Sequence, residues 1–248
     1  MSVRRVLFFM AASTAFAHSS WGRPPLSIDD PGVLDPWQVE IIAATTATST
    51  DGGDFYQAPI MDVTLGLTEN IQIAAVYPYV YSDPDNGSSE WDFGNFEFGI
   101  KWRFINNDNV QVAFSPRYAW GVTRELADQG IGDDADTAFL PITVEYAIND
   151  DWSVISEVGY AMVEDNGDEW GYGWAFVYGW NDRTDILLEL SGSADTDIEN
   201  DFVTGRIGLD YGFTDSLRGL FGLATGLREP SGEDKLDYDI FIGLQYVR

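Results

Sequence analysis

Residues 145–170, EYAINDDWSVISEVGYAMVEDNGDEW, decide the fold because apolar and polar residues alternate on both sides of a short acidic turn. Alternation with a period of two is typical of β-strands whose two faces meet different surroundings. The first run stops at residues 149–151, which indicates a turn, and the second ends in the acidic patch 164–170, which indicates a longer loop. The stretch therefore predicts a β-hairpin followed by a surface loop.

The same pattern recurs along the chain, in twelve alternating segments. Each is roughly ten residues long, which is what a tilted strand needs to cross a hydrocarbon core. The segments start near Trp37, Ala58, Ile71, Asn95, Val110, Thr137, Trp152, Gly171, Asp185, Phe202, Leu217 and Leu236.

The connections between these segments alternate in length, with five short ones set between six long ones. The short ones are residues 68–70, 106–109, 149–151, 181–184 and 214–216, and the long ones are 48–56, 82–91, 121–136, 164–170, 194–200 and 227–235. Tight turns on one rim and longer loops on the other are typical of outer-membrane barrels. The chain is therefore predicted to be an all-β, 12-stranded antiparallel up-and-down transmembrane β-barrel of the bacterial outer membrane.

The two faces of the predicted strands differ in chemistry. The polar face carries charges of both signs and is expected to line a lumen, with Glu97, Lys101, Arg103, Arg117, Glu145, Glu157, Glu189, Arg206, Asp210 and Arg218 as candidate channel residues. The apolar face carries tryptophans near strand ends, which predicts an interfacial aromatic girdle of Trp37, Trp102, Trp120, Trp152, Trp170 and Trp180. The alternative is a soluble β-sandwich or lipocalin-like barrel, in which the apolar face would point inward.

The N-terminus has the form of a secretory signal peptide. Arg4 and Arg5 precede an apolar run, and a small-x-small site ends at Ala17, so residues 1–17 are expected to be removed. A buried N-terminal helix is the competing interpretation. Residues 18–36 form a proline-rich periplasmic segment that either folds into the lumen as a plug or trails outside it, and residues 37–248 form the barrel domain.

Composition excludes several function classes. With 13 Lys+Arg against 41 Asp+Glu, the formal net charge is −28, which argues against a nucleic-acid partner. The chain has no cysteine and a single histidine, His18, outside every predicted strand, so no Ser-His or Cys-His arrangement is available and the protein is predicted not to be an enzyme. We expect no cofactor and no metal; the partners expected are outer-membrane lipid and a small-molecule solute, and no oligomeric state is indicated.

Charge and proline positions lead to two further expectations. Ten acidic and five basic residues fall on the inward faces, which favours cations over anions in a lumen or, alternatively, an ion-paired and nearly closed interior. Glu145 and Glu157 are expected to be neighbours within that interior. Pro59, Pro78, Pro116 and Pro141 lie in predicted strands, where they indicate either bulges or a weakened wall that lets an apolar solute leave sideways.

The opening of the barrel carries a family resemblance. The stretch RPPLSIDDPGVLDPWQVE, from Arg23, resembles the start of the "MetA-pathway of phenol degradation" family, and APIMDVTLGLTENIQIAAVYPYVY resembles its second and third strands. The resemblance implies an outer-membrane barrel acting as a transporter, associated in some members with the breakdown of aromatic hydrocarbons. It does not imply an enzymatic activity.

Two functional hypotheses follow from the sequence. The first is a porin-like outer-membrane channel for passive passage of small solutes, with aromatic or apolar solutes as its narrower form. The second is a non-conducting structural or surface-binding barrel that acts through its acidic loops.

Overall fold

The structure, a computed structural model, describes residues 24–85, 88–164, 167–198, 200–230 and 233–248. The predicted signal peptide, residues 1–17, lies outside these residues. No helix in the described part of the chain is long and apolar enough to cross a membrane.

The described residues form fourteen strands and one short helix. The strands are β1 (Val39–Thr50), β2 (Gly53–Thr68), β3 (Ile71–Pro84), β4 (Glu90–Phe93), β5 (Phe96–Asn106), β6 (Val110–Phe114), β7 (Arg117–Trp120), β8 (Thr137–Ala147), β9 (Trp152–Val163), β10 (Glu169–Asn181), β11 (Thr184–Asp195), β12 (Asp201–Gly212), β13 (Leu217–Arg228) and β14 (Leu236–Val247). The helix, α1 (Arg124–Asp128), lies in the connection between β7 and β8.

These strands make one closed antiparallel barrel. Strands β4 and β5 both pair with β3 and together occupy one strand position of the barrel. Strands β6 and β7 together occupy the next position, between β5 and β8, so the fourteen segments make twelve positions. The barrel closes where β1 pairs with β14, from Glu40 opposite Val247 to Thr50 opposite Leu236. The prediction of a 12-stranded up-and-down barrel closed by its first and last strands is confirmed.

Apolar residues cover the outside of this barrel. Phe98, Leu188 and Ile242 are exposed by 36%, 50% and 47%, whereas their neighbours on the opposite face, among them Glu189 and Lys101, are buried. A soluble barrel with an apolar centre requires the reverse orientation. That alternative is therefore not the fold of this chain.

The connections differ in part from the prediction. The expected long loop at residues 48–56 is a two-residue turn, Asp51–Gly52, because Thr48, Ser49 and Thr50 continue the ladder opposite Phe55, Asp54 and Gly53. The expected loop at 82–91 shortens to residues 85–89, since β3 extends to Pro84 and β4 begins at Glu90. The prediction that long and short connections strictly alternate was therefore wrong. Polar residues at the strand ends, such as Thr48 to Thr50, continue the strands instead of forming loops.

Prolines and glycines interrupt the wall between β3 and β8. Strand pairing breaks at residues 94–95 and again at residues 115–116. Backbone hydrogen bonds still cross both breaks: Gly94 N–H donates to the carbonyl of Pro78 at 3.0 Å, and Ser115 N–H donates to that of Pro141 at 3.1 Å. The interruptions are thus bridged, as backbone groups in hydrocarbon require.

Closure yields a direct prediction at Ile242, which pairs with Thr45 of β1 and Phe221 of β13. Replacing Ile242 by proline removes a ladder N–H and orphans its acceptor in the apolar layer, at a cost of several kcal/mol. We expect Ile242→Pro to lose the compact, heat-modifiable species on gel electrophoresis, while Ile242→Val keeps it. Equal folding yields for both variants would show that the ladder tolerates a gap at this position.

Candidate channel lumen

The ten predicted channel residues all lie on the inward faces of the strands, but to different depths. Six have buried side chains: Lys101, Arg117, Glu157, Glu189, Arg206 and Asp210. Glu97, Arg103, Glu145 and Arg218 are half-buried. The structure thus brings these charges into one interior, whereas their part in conduction stays a prediction.

Ion pairs connect charges on different strands of this interior. Arg206 Nη2 lies 2.9 Å from Asp239 Oδ2, and its Nε lies 3.9 Å from Glu189 Oε1. Arg218 Nε lies 2.6 Å from Asp210 Oδ1. A charge removed from water needs such partners, because burial of a lone charge is costly.

Glu145 and Glu157 do not form the neighbouring pair that the sequence suggested. Register places Glu157 opposite Thr143, whose hydroxyl donates to Glu157 Oε2 at 3.3 Å. Glu145 lies opposite Ile155 and accepts a hydrogen bond from Ser153 at 2.7 Å. The two carboxylates are therefore offset by two residues in the register rather than directly opposite each other.

The N-terminal segment, residues 24–36, enters the barrel and occupies the centre of the lumen. Its backbone N–H groups donate to carboxylates of the wall: Ser27 N to Glu189 Oε2 at 2.8 Å, and Asp29 N to Glu157 Oε2 at 2.9 Å. The Ser27 hydroxyl also donates to Glu189. Two of the predicted channel acids therefore bind this segment, which sequence reasoning had not assigned to them.

A buried lysine holds the segment from the other side. Lys101 Nζ lies 2.7 Å from Asp29 Oδ1 and donates to the Asp30 carbonyl at 2.7 Å. The Lys101 and Asp29 side chains are 2% and 0% exposed. Sequence reasoning missed Asp29 as a lumen group, although an Asp-Asp pair within a proline-rich stretch was a signal for it.

The wall is shaped to receive this segment. Leu26 and Ile28 pack in one buried cluster with inward-facing Ile155, Val177 and Leu187. Opposite them the wall uses glycine: a Cβ at Gly173 would lie 2.4 Å from Ile28 Cγ2, and one at Gly208 would lie 2.7 Å from Pro25 Cγ. The close approach requires glycine at both positions.

Another part of the interior is apolar. Ile42 and Ile60, each 1% exposed, join a buried cluster contributed by β1, β2, β3, β13 and β14, which also contains Ala44, Ala74, Val76, Leu220 and Phe241. The lumen therefore combines a charged wall with an apolar one. The charged residues predicted for the lumen did not indicate this division.

A cavity of about 50 Å³ remains between the N-terminal segment and the outer rim. Arg117 reaches it with its guanidinium Cζ 4.6 Å from the centre of the Phe139 ring. Neither Nε nor Nη1 of Arg117 has a hydrogen-bond partner. A space of this size admits a few water molecules, so little room remains between the segment and this part of the wall.

A folded connection covers part of the outer mouth. In the outer connection, residues 121–136, Ile131 is only 2% exposed. Asn95 anchors it, because its Nδ2 donates to the carbonyls of Trp120 and Asp133 at 2.8 Å each and its Oδ1 accepts from Asp133 N at 2.9 Å. At the end of the connection, hydrogen bonds from Tyr118 and from Gly121 N hold the pKa of Asp136 below its usual range.

Aromatic side chains collect near both rims of the outer surface. The six tryptophans predicted for the girdle are all exposed, from 38% for Trp170 to 77% for Trp37. Other rings join them, such as Tyr178 stacked on Trp152 at 4.5 Å, and Tyr81 beside Trp91 at 4.4 Å. Trp91 was not predicted as part of the girdle, because it ends the loop expected at residues 82–91.

We expect the buried ion pair of Lys101 and Asp29 to stabilise the N-terminal segment in the lumen. Lys101→Met leaves the Asp29 carboxylate without its cation, at a cost of about 3–5 kcal/mol. The double variant Lys101→Met, Asp29→Leu should recover most of that loss, because two apolar groups need no pairing. Unfolding in urea, followed by fluorescence, measures both, with the exposed Arg183→Met as control. Equal losses in the single and double variants would contradict coupling between the two residues.

Asn95 should decide how firmly the outer connection is held. Asn95→Ala removes three hydrogen bonds, so we expect amides of residues 121–136 to exchange with solvent deuterium much faster. Asn149→Ala is the matched control, since it removes bonds to Asp151 N and Trp152 N at the opposite rim. Unchanged exchange in residues 121–136 would show that contacts other than those of Asn95 hold the connection.

Comparisons with known proteins agree at the level of fold. No family model and no curated protein matches the chain. The COG4313 outer membrane channel from Pseudomonas putida F1 superposes with a TM-score of 0.73 at 12% identity, covering 88% of this chain and 98% of that one. The KdgM porin gives a TM-score of 0.60 at 11% identity, with coverage of 84% and 98%. The CymD monoaromatic hydrocarbon channel gives 0.50 at 10%, with coverage of 87% and 89%.

Proposed function

We propose that this chain is a passive outer-membrane channel for small solutes. The observation that carries the proposal is a closed wall, apolar outside, around an interior of charged and hydrogen-bonded side chains. The structurally similar proteins that are described as channels or porins support the same class of function. Within the described residues, no group of three or more His, Cys, Asp or Glu side chains is arranged to hold a metal ion.

The N-terminal segment makes this a narrow channel. It fills the centre of the lumen and leaves a cavity of about 50 Å³ beside Arg117 and Phe139. A cavity of this size holds water or a small ion, whereas one of roughly 150 Å³ holds a benzene ring. Larger solutes therefore require the segment or the Phe139 ring to move during passage.

The charge of the interior favours cations. Among the described residues, the buried carboxylates are Asp29, Asp62, Glu157, Glu189, Asp210 and Asp239, against the buried cations Lys101, Arg117 and Arg206. Rings of carboxylates raise the local concentration of cations and repel anions. The expected conductance is small and moderately cation-selective.

Aromatic or apolar molecules are the narrower form of the proposed solute class. The resemblance to the "MetA-pathway of phenol degradation" family supports it, and so does the apolar side of the lumen around Ile42, Ile60 and Phe241. An apolar ring gains free energy from leaving water for such a surface. A charged wall opposite keeps the remaining path hydrated.

A second candidate function is a non-conducting structural barrel. The observation that favours it is the tight seat of the N-terminal segment, with Leu26 and Ile28 packed against the wall and glycine opposite Ile28. If the segment never moves and water does not pass beside it, the protein stabilises the membrane or binds partners through its acidic loops.

Planar-bilayer recording separates the two functions. We expect small, steady, cation-leaning currents from the native chain and severalfold larger currents from Gly173→Val, because a side chain there collides with Ile28. Gly179→Val is the matched control: it lies on the same strand, and its Cβ would meet nothing closer than 3.7 Å. Silence of the native chain and of Gly173→Val at all voltages would overturn the channel and favour the structural barrel.

A further inference from the structure

A groove of about 600 Å³ runs along the membrane-facing wall between β10 and β14. It is distinct from the lumen, because its sides are outward-facing residues that are each about half exposed: Trp174, Phe176, Leu188, Leu190, Ile207 and Leu223. Its volume falls within the range of small-molecule binding sites, about 300–1,000 Å³. The outer surface of the barrel is therefore not a uniform apolar band.

Gly205 forms the floor of this groove. It faces outward between Leu190 of β11 and Thr225 of β13 and contributes no side chain to the space between these neighbours. A Cβ there would approach only Leu227, at 3.0 Å from Cδ1, and Leu227 is an exposed and flexible side chain. The groove can thus be filled by substitution without disturbing the strand ladder.

Two cations lie beyond the lining residues at the outer end of the groove, along strands β13 and β14. Thr225, Asp237 and Tyr238 line that end. Arg228 ends β13, and Lys235 immediately precedes β14. Among the described residues, the only other Lys or Arg at the rim of the long connections is Arg124, so two of the three cations at this rim lie two to three residues beyond the lining residues Asp237 and Thr225.

Both cations retain capacity for a further anion. Arg228 pairs with Asp201 through Nε at 2.8 Å, and Lys235 Nζ lies 3.8 Å from Asp237, yet their side chains are 65% and 54% exposed. Exposed ion pairs contribute little free energy. A phosphate offers both side chains stronger, charge-assisted hydrogen bonds.

We infer that this groove binds a phosphorylated acyl lipid of the outer leaflet, with one acyl chain over Gly205 and the phosphate between Arg228 and Lys235. The apolar groove opens sideways to the hydrocarbon, and the cations lie at the level where headgroups begin. A second copy of the chain fits less well, because the acidic loops of two chains with a net charge of −28 would repel each other. The inference is independent of whether the barrel conducts.

Native mass spectrometry of the full mature chain in detergent tests the inference. The probes are phosphatidylglycerol and phosphatidylcholine with identical acyl chains, titrated separately. We expect phosphatidylglycerol to bind more tightly than phosphatidylcholine. Its affinity should fall about fivefold for each cation removed, in Arg228→Gln and in Lys235→Gln. Phosphatidylcholine carries the same phosphate, but its choline cation offsets the attraction to the two side chains, so its affinity should fall less in these two variants.

Filling the groove tests the acyl-chain site. Gly205→Leu should lower the affinity for both lipids, and Gly205→Ala should lower it to a smaller extent. The matched controls are Ala138→Leu, which adds the same side chain to the outward face of β8 opposite Met162, and Arg183→Gln, which removes a cation at the opposite rim. Neither control should alter binding of either lipid.

Three outcomes would overturn the inference. Equal affinity for the two lipids in the native chain would remove the role of the cations. Full lipid binding by Gly205→Leu would show that the acyl chain lies elsewhere. A dimer in the native chain that Gly205→Leu abolishes would assign the groove to a second copy instead.

Discussion

Backbone hydrogen bonding in the absence of water is the constraint on which the rest of this structure depends. An unpaired N–H or C=O in hydrocarbon costs several kcal/mol, so the wall has to close and each break in strand pairing has to be bridged. Strands β1 and β14 provide the closure. Bonds such as Gly94 N–H to the Pro78 carbonyl provide the bridging. Proline and glycine persist in the wall because their neighbours satisfy the backbone groups that they leave unpaired.

Closure creates a second problem, because it turns one face of every strand toward a narrow interior. The charges there lie too deep for full hydration and need partners. Other strands of the wall supply some, as in Arg206 with Asp239, and the N-terminal segment supplies others through its backbone N–H groups at Glu157 and Glu189. Wall and segment therefore stabilise each other, and the same contacts that stabilise the interior make the proposed channel narrow.

The outer face follows a different rule, because lipid rather than protein meets it. Aromatic rings near the rims and aliphatic side chains between them match the change from headgroup to hydrocarbon. Gly205 breaks this band and leaves a groove whose outer end points along the strands toward Arg228 and Lys235, in a chain that has few cations on its surface. The proposed lipid site and the proposed channel occupy opposite faces of the same strands, so each can be altered without the other.

Alternation along the sequence determined the barrel, its strand number and the facing of Phe98, Leu188 and Glu189, because a period of two assigns each side chain to one face regardless of distant contacts. It did not determine where Glu145 lies relative to Glu157, since cross-strand register depends on both strands and their turn. Nor could it reveal that residues 24–36 occupy the lumen, that Gly173 and Gly208 receive them, or that β1 and β2 meet in a two-residue turn. Those features arise only when strands far apart in the chain curve around a common axis and bring their inward faces within contact distance.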